Sequence, residues 1–215
     1  GVIYPIVMGW QWGGGWLAEI GFSDFAGSTL VHSTGGAAAL AGIMILGPRY
    51  GRFTKAGVPT PIKPFAASSI PLVTIGVFVL WLGWFGFNGG SQLALGSFAD
   101  AVSISTIFIN TNLAACGGVL AAAVITRLMF GKTDVVQMLN GAIGGLVAIT
   151  AEPLAPSPLS AILIGAVGGV IVVFGTKLLF SYKLDDVVGA IPAHLLSGIW
   201  GTLAVPLTNS DATFG

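Results

Sequence analysis

Asp24-Phe25-Ala26-Gly27-Ser28-Thr29-Leu30-Val31-His32 opens a long apolar run, and its reading decides the fold. A carboxylate, a glycine, two hydroxyls and an imidazole stand at the head of a stretch that carries no Lys, Arg, Asp or Glu from 25 to 48. The only other histidine, His194, also lies inside an apolar run. A polar ring is costly at membrane depth, so an ionisable residue there is a functional-site hypothesis by default. Two such residues in runs that are otherwise uncharged point to one shared site.

The rest of the chain supports the membrane reading. Of its 215 residues, 54% are hydrophobic and only 7% are charged, whereas soluble domains average roughly 25% charged residues. A span needs about 20 mostly apolar residues. Uncharged windows of that kind run 25–48, 64–99, 101–126, 153–176 and 187–210. A shorter window, 135–151, fits a short or tilted span, and residues 1–18 read as the tail of another. Period-two alternation is absent, which argues against an outer-membrane barrel. The expectation is an all-α, polytopic transmembrane helix bundle: six spans plus the end of a seventh. Gly1 opens in apolar sequence without Met, and 208–215 resembles a loop cut before another helix. The chain therefore reads as one transmembrane domain over 1–215, incomplete at both ends.

All eight basic residues fall in three gaps. Arg49, Arg52, Lys55 and Lys63 share one, Arg127 and Lys132 the next, Lys177 and Lys183 the third. The alternate gaps hold only Glu19, Asp24, Asp100, Glu152 and Asp211. By the positive-inside rule the loops 49–68, 127–134 and 177–186 face the cytoplasm. His32 is followed by Ser-Thr-Gly-Gly-Ala and His194 by Leu-Leu-Ser-Gly-Ile, on spans five apart in order. An odd offset gives the two helices opposite orientations, as in an inverted-topology repeat with a site at its interface.

At these residues the chain resembles the ammonium transporter (Amt/Rh) family. The segment 24–32 resembles the family's signature, and Trp12-Gly13-Gly14-Gly15 stands at the matching spacing before it. Gly83-Trp84-Phe85-Gly86-Phe87-Asn88-Gly89-Gly90-Ser91 and Asn140-Gly141-Ala142-Ile143-Gly144-Gly145-Leu146-Val147 match in order. So do Asp185-Asp186, His194 and Gly198-Ile199-Trp200-Gly201. Five motifs in register cover essentially the whole chain. Family members have eleven spans, and this chain resembles the end of the fourth through the tenth. Asp24, His32 and Trp12 favour the Amt branch over gas channels of the Rh type.

The resemblance implies a multi-pass integral membrane protein, of the cell membrane if bacterial, and a homotrimer with one pore per protomer. It implies ammonium and ammonia as the solutes and a PII-type cytoplasmic regulator as a partner. His32 and His194 would line a narrow pore as neutral rings, each with one donor and one acceptor, and relay a proton; the alternative is two unrelated histidines bonded to helix backbones. Trp12, Phe87 and Ser91 would recruit ammonium at an outer site, where a cation over an aromatic face gains roughly 0.5–2 kcal/mol. Phe87 would also belong to an aromatic gate, whose second phenylalanine lies on a span outside this chain. Taken without the resemblance, Trp12 reads as an interfacial anchor and Phe87 as helix packing. Asp24 reads first as a helix N-cap, with direct cation binding as the alternative. Thr150 and Asn88 match positions that support the site.

Ammonium and potassium are similar in size and charge, so charge alone cannot separate them. Removing the proton from ammonium and passing neutral ammonia through an apolar pore excludes potassium, which has no proton to lose, whether the proton follows along the histidine pair or stays outside. The main rival is an ammonium sensor or transceptor that couples the same site to a signalling domain. A retinal receptor needs a lysine deep in a span, and Lys177 and Lys183 stand at span ends. An enzyme is not expected: two histidines and Cys116 make neither a nucleophile–base pair nor a metal cluster. No cofactor, metal or nucleic acid is implied. The paired glycines at 117–118, 144–145 and 168–169 lack the Lys-Ser/Thr of a phosphate loop and read as close helix packing.

Overall fold

The computed structural model describes residues 1–53 and 65–210, so Lys55, Lys63 and Asp211 lie outside the described residues. Eight helices follow in order: α1 (Ile3–Gln11), α2 (Trp16–Glu19), α3 (Ser28–Leu46), α4 (Ile70–Gly90), α5 (Phe98–Phe130), α6 (Val135–Ile149), α7 (Pro158–Ser181) and α8 (Ile191–Thr208). No strand occurs among the described residues. Five of them, α3, α4, α5, α7 and α8, are long and apolar enough to cross a membrane, and α6 is a shorter apolar helix. Both α3 and α8 begin with a π-helical turn, Ser28–Ser33 and Ile191–Leu196, that carries the histidine.

Local chemistry sets the helix starts. Ser69 caps α4 by accepting from the Leu72 N–H, and Asp134 caps α6 by accepting from Gln137. Ser97 and Asp100 form a reciprocal capping box at the head of α5. Together these caps shift boundaries that hydropathy alone had drawn. The window 64–99 yields a helix of only 21 residues, whereas α5 runs 33 residues, beyond both ends of 101–126. At 1.5 Å per residue α5 is about 50 Å long, well over the roughly 30 Å of a bilayer's apolar core.

The core is α5, α6 and α7, which pack on one another most extensively. Their approach is close enough to exclude side chains. A methyl group at Gly169 would collide with the Gly118 carbonyl, and one at Gly165 with the Ala114 carbonyl. This is the small-residue packing that replaces hydrophobic drive in lipid. Every residue of α6 from Gly141 to its end is buried. α8 lies against α6 and α7, and α3 lies against α8, antiparallel to it. Ser28 stands opposite Gly198, and Gly36 opposite Leu195.

The charges separate by end. Arg49 and Arg52 pair with Asp185, and Asn140 near the start of α6 donates to the Val188 carbonyl. Gln137 meets Thr176, next to Lys177. The three basic gaps thus meet at one end of the bundle, wherever their residues are described. At the other end Phe25 and Ala26 donate to the Ala151 and Thr150 carbonyls, and Glu152 accepts from Asn209.

A histidine pair as the candidate functional site

Asp24 is the first element of the site. Its Oδ1 accepts the Gly27 and Ser28 N–H groups at 2.9 Å each, and its Oδ2 accepts those of Thr29 and Leu30 at 2.8 and 3.0 Å. One buried carboxylate therefore satisfies all four free donors at the head of α3. The reading of Asp24 as a cap agrees with this geometry. Gly27 makes the turn with φ at +110°, a region that side chains other than glycine's avoid.

The same construction recurs at α8. Asp186 Oδ1 accepts from Gly189 and Ala190 at 3.0 Å each, and Oδ2 from Ile191 at 2.7 Å. Gly189 has φ at +76°. In both copies Asp stands three residues before the glycine and eight before the histidine, an Asp-x-x-Gly-x4-His pattern. Sequence reasoning noted the small residues after each histidine and quoted Asp186 within a motif without giving it a role, and it missed Gly189, although the spacing was readable. In both copies a left-handed glycine and a carboxylate that gathers the free N–H groups stand just before the π turn.

The two turns bring the histidines together. His32 Nδ1 lies 3.2 Å from His194 Nδ1, with the rings roughly parallel at 26°. Trp84 stacks on His32 at 4.9 Å between centroids, and Phe87 sits 5.3 Å away. His32 Nε2 is buried and has no hydrogen-bond partner among the described residues. Buried polar atoms are nearly always bonded, so this edge is where a small polar solute has an unmet need to fill.

The surroundings fix these rings. Trp84 donates from Nε1 to the Thr150 hydroxyl at 2.9 Å, and Thr150 in turn donates to the Leu146 carbonyl at 2.7 Å. Asn88 Oδ1 lies 3.2 Å from the same hydroxyl, and Asn88 Nδ2 donates to Thr111 at 3.0 Å. All four residues are buried. Thr150 and Asn88 thus hold the Trp84 ring, and through it one face of His32. Sequence reasoning quoted Trp84 within a motif without giving it a role. Ser28 donates to the Val147 carbonyl, which ties α3 to the same end of α6.

Trp12, Phe87 and Ser91 are placed differently. The Trp12 indole donates to the Asp24 carbonyl at 2.8 Å, which sets it beside the cap. Ser91 donates to the Phe87 carbonyl at 2.9 Å, one turn away on α4, and keeps its lone pairs free to accept. Phe87 lies against His32 and Trp84. Helices α1 and α4, which precede Trp12 and carry Phe87, do not pack on each other, so the described contacts leave Trp12 on a separate element from Phe87 and Ser91.

A bundle of apolar helices with paired imidazoles between two antiparallel spans defines a multi-pass integral membrane protein. Residues 1–213 match the model described as the Ammonium Transporter Family, and the chain belongs to that family. It is 45% identical to ammonium transporter Amt2 of Archaeoglobus fulgidus over 224 residues, covering 100% of this chain and 46% of the relative. Ammonium transporter Amt1 of the same organism is 38% identical over 203 residues, covering 94% and 48%. Among solved structures, one named Sensor Amt Protein superposes with a TM-score of 0.89 at 37% identity, over 99% of this chain and 52% of the other. Mep2 of Candida albicans superposes at 0.84 and 33% identity, over 99% and 44%. The chain spans about half the length of the relatives it matches. Members of this family are not enzymes.

Proposed function

We propose that the protein containing this chain carries ammonium nitrogen across a membrane, deprotonating ammonium and conducting ammonia past the histidine pair. The observation that carries this is the 3.2 Å contact between the two Nδ1 atoms beside the unpartnered Nε2 of His32, in a chain of the ammonium transporter family. A direct contact between two Nδ1 atoms needs one ring to donate and the other to accept. Two neutral rings so paired leave one Nε2 as an acceptor and the other as a donor. Ammonia, which both donates and accepts, matches that pair of edges. Uptake of a proton at the accepting Nε2 makes that ring an imidazolium; its Nδ1 proton then crosses the shared contact, and the second ring releases its Nε2 proton, leaving the two tautomers exchanged.

Trp12, Phe87 and Ser91 form the recruitment site in this reading, with Ser91 accepting an N–H of the ammonium ion. The basic end faces the cytoplasm, following the positive-inside rule, and the protein assembles as a homotrimer open to a PII-type regulator. The test uses the full-length protein in proteoliposomes. His32→Ala and His194→Ala should each depress ammonium conduction, by at least tenfold on the scale of a lost preorganised contact. His32→Glu or His194→Glu should admit potassium, because a fixed negative charge stabilises a desolvated cation. Wild-type ammonium rates in both alanine variants, with potassium still excluded, would overturn the reading.

A second reading is an ammonium sensor that uses the same pocket. Its support is the superposition on the structure named Sensor Amt Protein. Ammonium binding without flux in the same vesicles would favour it.

A further inference from the structure

The two histidine helices are joined a second time, far from the histidines. Asp185 Oδ2 accepts the Arg49 backbone N–H at 3.0 Å and Arg49 Nε at 2.7 Å, while Oδ1 accepts Arg49 Nη2 at 2.8 Å. Arg52 Nε adds a contact at 3.2 Å to Oδ1. The Asp185 side chain is 2% exposed, so this is a desolvated carboxylate held by two guanidinium groups. The Arg49 guanidinium lies 4.8 Å from the Phe65 ring centre, and that of Arg52 5.3 Å from Phe180. Arg49 follows α3, which bears His32. Asp185 precedes Asp186, which caps the turn that bears His194.

Around the histidines the seam is well packed, but past Gly36 no residue of α3 is buried. Within Thr34–Leu46 only Gly36 is buried, against Leu195. From there the helix runs to Leu46 with Met44, Ile45 and Leu46 exposed among the described residues. The Asp24 cap and Gly36 hold the first turns of α3, and a helix that bends beyond them takes the direction of its far end from the clamp. We propose that Asp185 is a positioning residue: by clamping Arg49 and Arg52 to the segment that caps α8, it sets the angle between α3 and α8 and so the register of the two rings. The inference rests on the transport reading above and extends it to a residue that touches no solute.

The test is made on the full-length protein with Cys116 replaced. Nitroxides at Met44→Cys and Tyr182→Cys, both exposed positions, report the distance across the clamp, and vesicle assays report ammonium flux. Asp185→Asn should shift or broaden that distance and lower flux roughly tenfold, the order expected when a remote support relaxes a preset geometry. Asp185→Glu, which keeps the charge and both oxygens, should restore most of the flux. Should Asp185→Asn fail to accumulate, Arg49→Lys serves instead, since it keeps the charge but cannot chelate both oxygens. Wild-type flux in the variant overturns the proposal, with or without a distance change. Lost flux at an unchanged distance also overturns it, because the carboxylate would then act locally. Failure of the transport reading is separate: the unsubstituted protein would itself show no flux, while the distance measurement still reports on the clamp.

Discussion

Gly27 and Gly189 carry more of this site than their size suggests, because each sets the angle from which a histidine turn departs. A side chain at Gly27 would sit in the left-handed region and meet the Val31 side chain. Gly27→Ala should therefore destabilise the detergent-solubilised full-length protein by about 1–2 kcal/mol, whereas Gly35→Ala, whose added methyl meets nothing, should be neutral. Thermal unfolding of the two variants side by side checks this. Asp24→Ala should lower stability by about 2 kcal/mol, the upper end for a lost cap, because four N–H groups lose their acceptor together. A variant with unchanged melting but weakened ammonium binding would instead indicate direct cation contact. His32, His194 and the capping role of Asp24 were legible in the sequence, since a polar residue among apolar ones announces itself. Trp84 was not, because a tryptophan in a span looks like any packing residue until the ring it stacks against is known.

At the scale of the helix, hydropathy located the spans but misplaced their ends. It counts Asp100 and Arg127 as interruptions, yet Asp100 completes a capping box and Arg127 sits in the last turn of α5. Both lie where the helix dipole favours their sign. The π turns left no signature in composition; their trace is the spacing from carboxylate to glycine to histidine, which only a comparison of the two copies reveals. The glycine pairs were legible as packing, and their partners in space are specific. Gly169→Ala in α7 should cost about 1–3 kcal/mol through overpacking against the Gly118 backbone. Gly76→Ala in α4, facing open space, should be neutral or stabilising by up to about 1 kcal/mol from helix propensity. Equal melting of these two variants would refute the close approach of α5 and α7.

Across the whole molecule the described residues of the basic loops share one end, so a single orientation serves them. Cysteines at Tyr50, Lys132 and Lys183 in a Cys116→Ala background should resist impermeant thiol reagents added outside, and prompt labelling of all three would reverse the orientation. The clamp at that end has its own acid limit. The hydrogen-bonded Arg49 guanidinium holds the Asp185 carboxyl below the usual carboxylate range. A carboxyl depressed on folding contributes stability that is complete above its unfolded value, about 3.9, and fades as pH falls through the lower folded value. Melting of the native protein should thus lose this contribution only below about pH 4, and Asp185→Asn should remove the corresponding part of the acid slope. Charge segregation made the common end legible; the choice of Asp185 over its neighbour Asp186 as the partner of Arg49 was not, since adjacent carboxylates differ only in which way the chain turns them.

The duplicated turn has a kinetic consequence. Each histidine turn departs from a carboxylate and a left-handed glycine, Asp24 and Gly27 on one helix and Asp186 and Gly189 on the other. With equal solute on both sides a passive pore has no net flow whatever its shape; a symmetric junction adds that it conducts alike under inward and outward gradients. The asymmetry lies one layer out, where Trp84 and Phe87 stand against His32. Any difference between conductance under inward and outward gradients originates in that aromatic flank or farther toward the mouths.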